Sequence, residues 1–80
     1  MNKSAKAMFE ELGWREYLKS SVMVTYEKKS RSGKSNKYIQ FFFNNKKFYI
    51  GSEGSFNQPF TMKELQAINQ QCKELGWFDE

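Results

Sequence analysis

Histidine is absent from this chain of 80 residues, which removes the commonest general base and the commonest metal ligand. Cysteine occurs once, as Cys72, so no internal disulfide can form; that usage fits a reducing compartment. Nowhere does an apolar run approach the length of about 18 residues that a membrane span needs. The N-terminus lacks the basic start, apolar core and small-residue cleavage site of a secretory signal. Carboxylates are scattered or terminal, without metal-ligand spacing, and neither a phosphate loop nor a dinucleotide fingerprint occurs. These absences predict a non-enzymatic chain with no catalytic residues, no metal and no cofactor, located in the cytoplasm.

Acids are also missing from one long stretch. Between Lys28 and Ser52 there are seven bases and no carboxylate, so the rest of the chain has six bases against nine acids. The overall charge of +4 therefore hides a basic middle and a mildly acidic remainder. Such asymmetry governs which partners are attracted rather than which fold forms.

What the chain has in quantity is aromatic area: eight Phe, four Tyr and two Trp. A single domain over residues 1–80 buries only about 60% of its unfolded surface, and large rings compensate for a thin core. The clearest element is the last helix, predicted over Thr61 to Leu75. Thr61 and Glu64 form a capping box, and Phe60 and Leu65 are spaced as a hydrophobic staple. Met62, Leu65, Ile68, Cys72 and Leu75 make one apolar stripe, in which Cys72 is expected to be a buried thiol. Gly76 and Trp77 supply a Schellman ending. A shorter helix over Ser4 to Leu12, with Ala5, Met8, Phe9 and Leu12 on one face, ends the same way at Gly13-Trp14.

Between the helices the period changes to two. Val22, Val24 and Tyr26 alternate with Met23, Thr25 and Glu27 as a first strand; Arg15 to Leu18 is either a short extra strand or its lead-in. Lys28 to Lys37 contains no apolar residue and reads as a loop. Tyr38 to Asn44 and Lys47 to Gly51 form a hairpin about a two-residue turn at Asn45-Lys46, setting Phe43 opposite Phe48 and Phe41 opposite Ile50. Gly51 to Pro59 is a crossover loop in which Phe56 can tuck. The expected fold is α+β: a two-layer αβββα domain, with three antiparallel strands and both helices on one sheet face.

Two surfaces carry the functional expectation. The basic hairpins present Lys28, Lys29, Arg31, Lys34, Lys37, Lys46 and Lys47 to nucleic acid or another phosphate ligand, although lysines in such a loop also simply solvate it or discourage edge pairing. Tyr38, Phe42, Tyr49 and Met23 share the sheet face away from the helices. There they suit base stacking, a partner protein or a homodimer.

Met8-Phe9-Glu10-Glu11-Leu12-Gly13-Trp14 and the segment from Lys63 to Trp77 resemble the ends of small uncharacterised proteins of phages and prophages of Gram-positive bacteria. That resemblance implies a phage accessory role in the host cytoplasm, acting on nucleic acid or, as an anti-defence inhibitor in the manner of anti-CRISPR proteins, on a host protein. It carries no catalytic motif. The order of elements also resembles the double-stranded RNA-binding domain. Where that family has a lysine cluster, this chain has Thr61-Met62-Lys63-Glu64, with one lysine beside an acid. Sheet-face DNA binders such as the integrase arm-binding domains fit the basic loop better.

Overall fold

In the computed structural model, residues 3–31, 33–53 and 60–78 are described. The order is α1 (Ala5–Glu11), β1 (Arg15–Lys19), β2 (Met23–Lys29), β3 (Asn36–Phe42), β4 (Lys47–Glu53) and α2 (Met62–Glu74). The sheet is antiparallel with four strands in the order β1-β2-β3-β4, one more than the three expected. The added strand is Arg15–Lys19. It escapes a period-two reading because its register shifts between Glu16 and Leu18, and a bulge breaks the alternation of faces.

Both helices pack on the face that carries Val24, Tyr26, Ile39 and Phe41, through Ala5 and Phe9 of α1 and Ala67, Ile68 and Cys72 of α2. Phe9 lies at the centre, stacked on Tyr26 at 4.2 Å between ring centroids and edge-on to Phe41 at 6.4 Å. The helix endings are alike. Trp14 N–H donates to Phe9 C=O and Trp77 N–H to Cys72 C=O, each at 2.9 Å, with Gly13 and Gly76 at φ of 92° and 73°. Both are Schellman motifs, and only glycine takes that backbone without strain.

Three local expectations are corrected. The stripe of α2 is rotated: Glu64, Ala67, Ile68, Gln71 and Cys72 are buried, while Met62 is 70% and Leu65 45% exposed. Phe60 consequently takes Trp14 as its ring partner, at 5.9 Å, leaving Leu65 in solvent. The β3–β4 hairpin closes over four residues, 43–46, with Lys46 left-handed at φ 53°, so Phe41 faces Phe48 and Ile39 faces Ile50. The shift is by two residues, which preserves the faces although it changes the partners. Val22, expected within the first strand, lies before β2 and is 48% exposed. The crossover expected over Gly51 to Pro59, with Phe56, falls largely on residues 54–59, outside the described residues.

Candidate functional site

The basic segment is a ladder rather than a loop. Lys28 and Lys29 belong to β2 and Lys37 to β3, and pairing continues to Ser30 N–H on Ser35 C=O at 2.8 Å. Arg31, Gly33 and Lys34 lie beyond that last pair, with Gly33 at φ 76°. Because Lys28 and Lys37 are directly paired, their side chains point to the same face, and that face is the one under α2. Lys28 Nζ lies 3.6 Å from Glu64, and Lys37, 4% exposed, sits with Nζ 4.4 Å over the Phe60 ring. Burial lowers the Lys37 pKa, Glu64 opposes that change, and Lys28 adds to it.

Glu64 ties this corner together. Its carboxylate accepts from Thr61 N–H at 2.7 Å, closing the capping box, and from Trp14 Nε1–H at 2.9 Å, while Lys28 neutralises it. Burial alone would raise its pKa; the Thr61 and Trp14 bonds together with Lys28 and Lys37 outweigh burial and hold it below the usual carboxylate range. Two of the seven expected phosphate ligands are thus committed to a buried cluster around a structural carboxylate.

The remaining five separate into two groups. Lys29, Arg31 and Lys34 lie at the β2–β3 turn, and Lys46 and Lys47 at the β3–β4 turn. Those turns are at opposite ends of β3, a seven-residue strand, and hence roughly 20 Å apart.

Between the two groups stretches the sheet face away from the helices. Tyr38, Phe42, Tyr49 and Met23 all lie on it: Met23 is paired with Phe42, and the Phe42 and Tyr49 rings meet edge-to-face at 5.4 Å. Sequence reasoning missed Arg15, Tyr17 and Leu18. The bulge in β1 turns both Tyr17 and Leu18 toward this face, where Tyr17 approaches Tyr38 at 6.4 Å and Leu18 stands opposite Thr25. Tyr17, Leu18 and Tyr49 are each close to half exposed, and no element among the described residues covers them. The acids here are engaged. Arg15 donates from Nε and Nη2 to Glu27 at 3.2 and 3.0 Å, and the Tyr38 hydroxyl donates to Glu53. Asn36 Nδ2 donates to the same hydroxyl at 3.2 Å. The Glu53 bond raises the Tyr38 pKa.

Among the described residues, no group of three His, Cys, Asp or Glu side chains converges as a metal site would require. Cys72 is a buried thiol whose pKa is raised by burial. No helix among them is long and apolar enough to cross a membrane. Comparison with protein-family models, curated proteins and solved structures finds no match for this chain.

Proposed function

We propose that the chain is a non-enzymatic binding module of the phage accessory kind, working in the host cytoplasm, whose open sheet face takes single-stranded nucleic acid. The observation that carries this reading is the placement of exposed aromatic side chains between two basic turns roughly 20 Å apart. Bases stack on Phe42, Tyr49 and the Tyr17–Tyr38 pair, while phosphates meet Lys29, Arg31 and Lys34 at one end and Lys46 and Lys47 at the other. A duplex hides its base faces, so this surface favours single strands.

Electrophoretic shifts on single- and double-stranded probes test the reading. Replacing Phe42 and Tyr49 with Ser is expected to cost about 1–3 kcal/mol per lost stack on single strands and little on duplex. A parent protein that binds no nucleic acid at low salt overturns it. A second reading, inhibitory binding of a host protein, is favoured by the Arg15–Glu27 ion pair, which neutralises two charges within the face, and by the Tyr38 hydroxyl, which already bonds Glu53. On that reading the same Phe42/Tyr49 change abolishes capture of the partner, because aromatic anchors carry most interface energy.

A further inference from the structure

The two edges of the sheet differ. β1 is five residues long and bulged, a form that protects an edge from pairing. β4 is seven residues long, pairs with β3 without interruption from Lys47 to Glu53, and is exposed throughout. On the helix side Phe48 is 42% and Ile50 53% exposed. Long, regular and partly apolar, this edge has no bulge and no covering element among the described residues, and only its end charges protect it.

The hydrogen-bond phase states which groups face outward. Phe43 N–H donates to Val22 C=O at 2.9 Å, and Ser35 C=O accepts from Ser30 at 2.8 Å. Odd-numbered residues along β3 therefore turn their backbone groups to β2, and even-numbered ones turn to β4. Their partners Lys47, Tyr49, Gly51 and Glu53 are bonded inward. Phe48, Ile50 and Ser52 present N–H and C=O to the free edge.

We infer that β4 pairs antiparallel with β4 of a second copy of this chain, about a twofold axis at Ile50. In that register Ile50 meets Ile50 of the partner subunit as a hydrogen-bonded pair, and Phe48 exchanges bonds with Ser52 of the partner subunit. Lys47 then stands opposite Glu53 of the partner subunit at a closely spaced, non-hydrogen-bonded position, and the axis repeats this opposite-charge pair. Tyr49 lies opposite Gly51 of the partner subunit. The space over Gly51 is open, with nothing within 4 Å of where a Cβ would stand, so a ring fits there. Every residue of β4 is used, both charges are answered and both exposed apolar side chains gain a neighbour. The two uncovered faces become one continuous sheet. Pairing does not depend on the nucleic-acid reading.

Sedimentation velocity of the full chain across a wide concentration range tests the inference. A concentration-dependent dimer is expected. K47E and E53K, each creating two like-charge pairs, should raise the dissociation constant about tenfold or more, and the K47E/E53K double variant should return it toward the parent value. Amide exchange adds a local readout: Phe48, Ile50 and Ser52 amides should become protected as the dimer forms, with Tyr49 and Gly51 protected throughout. A parent that stays monomeric at high concentration overturns the inference. So does a dimer weakened by the single swaps but not rescued by the double swap, or one abolished by Phe42→Ser, which would locate the contact on the sheet face.

Discussion

Among single residues, Glu64 has the widest reach. Sequence spacing identifies it as half of a capping box, yet its side chain also holds the Trp14 indole and answers Lys28 from within the core. Replacing Glu64 with Ala leaves a buried indole N–H and a capping N–H unpaired, at a cost of about 2–4 kcal/mol in urea melts. The pH dependence follows from its depressed pKa. Its contribution is complete above the unpaired value of 4.5 and drains away as pH falls through the lower folded value. Melts on both sides of that window should show the parent losing stability on acidification, and Glu64→Gln losing less. Cys72, on the buried side of the same helix, should resist thiol reagents until the chain unfolds; fast labelling of native protein would contradict its burial.

The helices and strands differ in how much of their contact the primary pattern reveals. Ser4, Thr61, Gly13 and Gly76 mark both helices correctly because caps depend on neighbours within a few residues. Which face of α2 is buried depends instead on what lies beneath it, and there the apolar stripe misleads: buried Glu64 and Gln71 replace Met62 and Leu65. Gln71 earns its place by accepting from the Tyr26 hydroxyl at 2.7 Å. Burial, with Glu16, Glu74 and Glu10 nearby, pushes that phenol well above its usual range. Ile68→Ala should therefore cost about 2–5 kcal/mol, while Leu65→Ala should cost less than about 1. Equal losses in denaturant melts would show that the exposed stripe is packed after all.

For the whole molecule, charge is divided by the sheet rather than gathered by it. Lys28 and Lys37 lie under α2, so neutralising them should lower stability and leave nucleic-acid affinity almost unchanged. Neutralising Lys46 and Lys47 should spare the fold and flatten the salt dependence of single-strand binding by a slope of about 1.4, with a larger change for Lys29, Arg31 and Lys34. If all three groups flatten the slope alike, the division into buried and surface bases is wrong.

Local chemistry is legible in the chain itself: two capped helices, the glycine-tryptophan endings, the α+β class, and the shared outer face of Tyr38, Phe42, Tyr49 and Met23. Each rests on a repeat of two or four residues, or on a cap, which short-range sterics and hydrogen bonding enforce. The four-residue closure of the β3–β4 hairpin, the bulged β1, the rotation of α2 and the separation of the seven bases come only with the tertiary structure. They depend on which surfaces meet across long sequence separations. A lysine in a polar run carries no mark to say that its strand partner and a helix residue 36 positions away will hold it on the helix side of the sheet, as Glu64 holds Lys28.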